Sequence, residues 1–252
     1  MSEKYYYIEP HLKKIKAKVV EINGNKIVLD KTVAYAEGGG QEGDRGYLIV
    51  NGKKIPFFDT KKGPGRMLFL ENFPTIQVDT PIYHFVNEED VKYFKTGDEV
   101  EVEIDIHRRM KLSIAHSAIH LVLMCVERYF PGFEDKIYGA KIKEDGARLD
   151  FRTEYKFSQE DIRKIEECVN ELIQKDLPIK QYHHPDEKEA WYWECEGWVC
   201  PCGGTHIDNT GVIGEVKVKR KNLGKTGQRI SITIQNSELF EDKFYENSKT
   251  QI

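Results

Sequence analysis

Four residues in two short segments have the types and spacing to hold a metal ion. His116 and His120 stand four apart in HSAIH, which on a helix sets both imidazoles on one face, near enough to grip one ion. Cys202 and His206 flank Gly203, Gly204 and Thr205 in CPCGGTH, where a tight turn brings a thiolate and an imidazole to one side. Pooled, the two segments offer three nitrogens and one sulfur, a donor set that suits tetrahedral zinc. Each alone is weak. Histidine pairs at this spacing arise by chance in many helices, and the glutamate of the H-E-x-x-H peptidases is replaced here by Ser117, which removes that reading's general base. Cys200 is either a further ligand or a bystander, and its spacing to Cys202 favours the bystander.

A second stretch invites a nucleotide reading. AYAEGGGQEGDRG, from Ala34 to Gly46, contains a formal G-x-G-x-x-G at Gly38, Gly40 and Gly43. A dinucleotide fingerprint needs those glycines between a strand and a helix, but YLIV and an Asn-Gly turn follow. A Walker loop needs Lys and Ser or Thr after its last glycine, and neither is present. Both readings fail, leaving a turn region in which glycines permit positive φ.

The surrounding elements must position these groups. The 252 residues are 39% hydrophobic and 32% charged, with a net charge of -4, which suits one or two globular cores and argues against indiscriminate coating of nucleic acid. No run is expected to approach the apolar length needed to span a bilayer, and MSEKYYYIEP lacks a secretory layout, so the expected compartment is the cytoplasm. Short apolar runs around Asn23-Gly24-Asn25 and Asn51-Gly52 predict hairpins of a β-barrel or compact sandwich. DEVEVEIDI alternates as a strand, and a helix through HSAIH ends at Pro131-Gly132. The domain boundary falls near Asp105, giving a β-barrel domain over 1–105 with the glycine-rich motif and an α+β domain over 106–252. The second domain has a hairpin at Asp145-Gly146 and a helix capped by Ser158 and Asp161 with a buried stripe of Ile162, Ile165, Val169, Leu172 and Ile173. Two strands follow around a basic loop, so a mixed or antiparallel sheet with two longer helices is expected.

Several ordered blocks carry a family resemblance. HSAIHLV looks like the H-T-A-T-H-L-L segment of the alanyl-tRNA synthetase editing domain, and CGGTHIDNTGVIGEVKV resembles its C-G-G-T-H-V segment with the following T-x-x-I-G. AYAEGGGQEGDRG is similar to the F-Y-A-E-S-G-G-Q-x-G-D-x-G block, and RLDF with IEECVNELI matches the connecting region. The similarity runs from about Thr32 to Ile234, and aminoacylation or anticodon-reading domains are not expected in these 252 residues. The chain therefore resembles the free-standing AlaX-type editing proteins that keep an N-terminal barrel. The resemblance implies hydrolysis of the ester in mischarged tRNA(Ala), chiefly Ser-tRNA(Ala) with Gly-tRNA(Ala) as the open second case, sparing Ala-tRNA(Ala). It implies one zinc ion per chain, held by His116, His120, Cys202 and His206, whose four ligands leave its role open between catalysis and holding the pocket.

Ser117 stands where the family usually has threonine and is the candidate for reading the amino-acid side chain. Its alternative is a helix-face serine bonded one turn back. The tRNA must be held mainly through phosphates. Lys217, Lys219, Arg220, Lys221, Lys225 and Arg229 around the last hairpin form the preferred cluster; Arg108, Arg109 and Lys111, and Lys61, Lys62 and Arg66, are the others. Gly38, Gly39 and Gly40 would let backbone approach the site, and Arg45 would meet a phosphate. Trp191, Tyr192, Trp193 and Trp198 read as core with some capacity for base stacking. Cys125 and Cys168 read as small buried hydrophobes. The competing classes are a non-enzymatic zinc-stabilised RNA-binding module and a hydrolase of small aminoacyl or amide compounds. No membrane partner is expected, and a homo-oligomer is not indicated.

Overall fold

The computed structural model describes residues 1–235 and divides into two compact units. The first comprises Met1–Gly38 and Glu42–Arg109; the second comprises Gly39–Gln41 and the chain from Met110 onward.

The first unit is a closed antiparallel barrel of β1 (Lys14–Asn23), β2 (Lys26–Leu29), β3 (Gly46–Val50), β4 (Lys53–Lys62), β5 (Ile82–Val86) and β6 (Glu99–Ile104), in the order β6-β1-β2-β5-β4-β3. The tight turns match the Asn-Gly signals. Val50 pairs with Lys53 around Asn51 and Gly52, whose φ values of 49° and 76° give the twist that joins antiparallel strands without splaying them. Val100, Val102 and Ile104 alternate into the interior with Leu48, Ile55 and Phe57, all buried. Closure also leaves no open sheet edge.

The basic run before HSAIH is part of this unit's interior. Arg109 is 1% exposed; its Nε donates to the Asp44 carboxylate at 3.0 and 3.2 Å and its Nη2 to Val33 O at 2.7 Å. Arg108 is buried against Glu42. These two arginines are therefore spent on internal carboxylates, contrary to the reading that offered them to phosphates.

Helix α1 (Ile106–Tyr129) opens in the first unit and continues as the central helix of the second. It is long and apolar enough to cross a bilayer, with mean hydropathy 1.3 over its window, which corrects the expectation that no segment approaches that length. Of that window 83% is buried, because the helix is wrapped on several sides by its own unit. Around it stand β7 (Ile137–Lys143), β8 (Gly146–Arg152), α2 (Gln159–Gln174), β9 (Lys180–His184), β10 (Glu187–Cys195), β11 (Trp198–Pro201), β12 (Glu215–Asn222) and β13 (Gly227–Gln235). One sheet runs β7-β8-β13-β12, antiparallel throughout, and β9-β10-β11 form a second that the sequence reading did not assign. The observed class is α+β with an N-terminal barrel, as expected.

Local chemistry fixes α2. Ser158 Oγ accepts from Asp161 N at 3.1 Å while the Asp161 carboxylate accepts from Ser158 N at 2.7 Å, a complete capping box. Its buried face adds Cys168 to the expected stripe. The outer edge of β12 is closed by this helix, since Asn170 bonds both backbone groups of Val216 and Glu166 accepts from Val218 N. Cys125 of α1 and Cys168 of α2, read from sequence as separate thiols, are joined in a disulfide; helix packing sets their Cα atoms 6.1 Å apart, within bridging range.

Candidate metal centre

The second unit gathers the four predicted donors. His116 and His120 project from one face of α1 with rings stacked at 5.0 Å, and Cys202 and His206 come from the loop after β11. Their donor atoms lie within 4.8 Å of one another. Cys202 Sγ stands 3.3 Å from His120 Nε2, 3.5 Å from His116 Nε2 and 3.2 Å from His206 Nε2. All three imidazoles thus aim the same nitrogen at the sulfur.

The other nitrogen of each ring is held from behind. His116 Nδ1 lies 2.7 Å from Gln41 Oε1, His206 Nδ1 3.1 Å from Ser117 Oγ, and His120 Nδ1 3.3 Å from Cys200 Sγ. An amide oxygen can only accept, so Nδ1 of His116 carries the proton and Nε2 presents its lone pair to the cluster. Such outer partners fix the tautomer and ring orientation of a metal ligand. Cys200 therefore stands behind His120 and outside the donor cluster.

Burial keeps the donors uncharged. It lowers the His120 pKa to about 4 and those of His116 and His206 well below the ordinary histidine value, with neighbouring imidazoles adding to the last two. Burial also pushes the Cys202 thiol up to about 12, against a weak opposing bond from Gly204 N. Neutral imidazoles beside a thiol suit a divalent cation, whose charge deprotonates the sulfur it binds. His116 and His206 are buried, whereas His120 and Cys202 are partly open, so access is from their side. Trp193 is fully buried and stacks on His120 at 5.0 Å.

Gln41 was not anticipated. It is fully buried; Oε1 also accepts from Thr205 N at 3.1 Å, and Nε2 donates to Thr205 Oγ1 at 2.8 Å, which pairs in turn with Ser113 Oγ at 2.8 Å. The strand-like bridge of Gln41 to Ile142 and the bond from Ile142 N to Gly40 O, 2.8 Å, seat this segment on β7. A side chain at Gly40 would meet the Ala140 backbone at 2.8 Å, and one at Gly204 the His116 ring at 2.1 Å. Both glycines are required by close approach. The available signal was the glutamine inside the glycine-rich block, with Ser113 one turn before His116 and Thr205 just before His206.

Ser117 is fully buried, and its Oγ also lies 3.3 Å from Ile207 N, so it bonds to the CGGTH loop. Gly38 and Arg45 belong to the first unit, where the Arg45 side chain is exposed. Lys219, Lys221 and Lys225 are exposed on or beside the final hairpin, while Arg220 alternates to the opposite side of β12 from Lys219 and Lys221.

Two family models match the chain. One, for class II (A) tRNA synthetases, covers residues 7–108; the other, for the second additional domain of threonyl and alanyl tRNA synthetases, covers 192–231. The chain is 34% identical over 242 residues to an alanine–tRNA ligase of Methanopyrus kandleri, covering 86% of this chain and 24% of that protein. It is 31% identical over 234 residues to the Pyrococcus abyssi ligase, with 85% and 24% covered. It spans about a quarter of the length of these ligases. With the alanyl-tRNA editing protein AlaX-M of Pyrococcus horikoshii the identity is 29% over 240 residues, covering 93% of this chain and 99% of that protein.

Proposed function

We propose that the chain is a member of the alanyl-tRNA editing family and a trans-editing deacylase in the cytoplasm, cleaving the ester of tRNA(Ala) charged with the wrong amino acid. Ser-tRNA(Ala) is the chief substrate, Gly-tRNA(Ala) the second, and Ala-tRNA(Ala) is spared. The observation that carries the proposal is the convergence of His116, His120, Cys202 and His206 on one point.

We assign the ion as zinc, one per chain. His116, His120, Cys202 and His206 would hold it: the three Nε2 atoms stand 3.2 to 3.5 Å from Cys202 Sγ, and three imidazoles with one thiolate are a donor set that zinc takes. When bound, such an ion supplies Lewis acidity toward an ester carbonyl or water. The protein's own residues do the rest. Gln41 and Ser117 orient His116 and His206, and Trp193, stacked on the His120 ring, holds its orientation.

Ser117 also supports discrimination. A hydroxyl has two lone pairs and one proton, and here the lone pairs face His206 Nδ1 and Ile207 N. The O–H is left to donate to the hydroxyl of a seryl ester. An alanyl ester would leave that buried donor unpaired, the kind of penalty by which a polar site rejects an analogue lacking the group. In the second unit Gly39 and Gly40 bring backbone close and Lys219, Lys221 and Lys225 meet phosphates; in the first, Gly38 and Arg45 are offered to the tRNA separately.

Four protein ligands equally suit an ion that only holds the pocket. The test incubates the protein with Ser-tRNA(Ala), Gly-tRNA(Ala) and Ala-tRNA(Ala), with and without a chelator, and counts surviving ester. Selective loss of seryl and glycyl ester supports the proposal; equal hydrolysis of all three, or none, refutes it. Activity lost on chelation with the fold retained assigns the ion to catalysis, and coincident loss assigns it to structure.

A further inference from the structure

The chain carries a net charge of -4, yet one face of the four-stranded sheet is strongly basic. Leu149, Ile230, Ile232 and Val218 alternate into the core, and the residues between them alternate outward. Strand register lines up Lys141, Arg148, Ser231 and Lys219 as one outward row, and Gly139, Asp150, Arg229 and Lys221 as the next. The rows are about 14 Å wide and about 7 Å apart at ordinary sheet spacings.

Asp150 is the single carboxylate in those two rows, and it organises the face rather than neutralising it. Its oxygens accept from Arg229 Nε at 2.6 Å, Arg229 Nη2 at 3.0 Å and Arg148 Nη1. One negative charge thus holds two guanidiniums side by side. Along the same face Arg152 lies 5.6 Å from the ring of Tyr138. At the β12 edge Lys217 is paired with Glu166 and Glu215, whereas Lys219 and Lys221 are exposed. Elsewhere the basic runs are internally paired: Arg108 and Arg109 as described, Lys61 with Asp59, and Arg66 with Asp79.

We propose that this outward face of β7-β8-β13-β12 seats the phosphate backbone of an RNA duplex. Charge complementarity selects a polyanion. The geometry favours a duplex over a single strand, because single strands are gripped by successive exposed rings, and the four strands carry one exposed ring, Tyr138. A membrane is disfavoured too, since a surface helix or face that binds lipid pairs its cations with inserted apolar side chains. Under the proposed function the duplex is the acceptor stem of tRNA(Ala); only that identity rests on the editing reading.

The experiment measures binding of the metal-loaded full chain to an uncharged RNA hairpin of acceptor-stem length, by fluorescence anisotropy across a salt series. Lys219→Glu, Lys221→Glu and their double variant are compared with Lys188→Glu, the same charge change near the start of β10. These lysines sit at the surface, and thermal melts check that each variant folds. Each face variant should lower the slope of log K against log salt by about 1, and the double should lose about 10-fold or more in affinity; Lys188→Glu should lose less than about 3-fold. Equal losses from Lys188→Glu, or an unchanged double variant, overturn the face. Equally tight binding of an unpaired strand of the same composition overturns the duplex. The seryl-ester assay separates the two claims: face variants that bind normally while ester is cleaved sink only this inference, whereas failure of wild type both to bind and to deacylate sinks the editing reading as well.

Discussion

Replacing Gln41 by leucine tests whether a side chain that touches no metal sets the affinity for it. The change keeps approximate volume and removes an acceptor and a donor from a buried network. His116 Nδ1 loses its 2.7 Å partner, Thr205 N its 3.1 Å acceptor, and Thr205 Oγ1 its 2.8 Å donor. A buried donor left unpaired costs about 1–3 kcal/mol, and either His116 turns to find another partner or its neutral tautomer is no longer fixed. Loss of an outer partner typically lowers metal affinity about 10- to 100-fold, equivalent to about 1.4–2.8 kcal/mol. The assay is competition for zinc against a chromophoric chelator, with melting of the metal-free protein in parallel. Gln41→Glu separates orientation from packing, because a carboxylate still accepts from His116 and Thr205 while losing the donor to Thr205 Oγ1. The expected order of zinc affinity is wild type and Gln41→Glu close together, Gln41→Leu at least about 10-fold weaker. Wild-type affinity in Gln41→Leu would refute the reasoning, and equal losses in both variants would show that shape rather than the accepted hydrogen bond matters.

Gly204→Ala places a methyl group 2.1 Å from the His116 ring; zinc binding should fall below one per chain by metal analysis while far-ultraviolet dichroism stays unchanged. Ser117→Ala should reduce the ratio of seryl to alanyl ester hydrolysis by about 10-fold, a difference of ~1.4 kcal/mol, and Ser117→Thr should restore it. Asp44→Ala leaves the Arg109 guanidinium buried beside no carboxylate, so urea unfolding should register a loss of about 3–5 kcal/mol. The Cys125–Cys168 bond closes a separation of 43 residues, worth about 4 kcal/mol on the chain-entropy account; reduction should lower the urea midpoint, and a midpoint unmoved by reductant would deny the bond in solution.

What the sequence disclosed follows from the range of the interactions involved. The hairpin at Asn51-Gly52 and the capping box of Ser158 and Asp161 are settled within a few residues, and each is where the local pattern predicts it. The β9-β10-β11 sheet was missed because EKEAWYWEC interleaves charges with rings, blurring the alternation that marks a half-buried strand. Arg108 and Arg109 looked like a solvated basic run because the carboxylates that bury them, Glu42 and Asp44, lie 66 and 65 residues earlier. The disulfide is hidden by the same kind of separation. The glycine-rich block combines both cases. Its glycines were legible as permitting positive φ and close approach, and Gly40 is required for both, with φ 87° and the Ala140 backbone against it. The purpose of that approach lay in Gln41, whose partners His116 and Thr205 stand 75 and 164 residues away. A polar side chain reveals its role only through what it bonds, so the cluster of donors could be inferred from type and spacing, while the groups behind it became visible only in the folded chain.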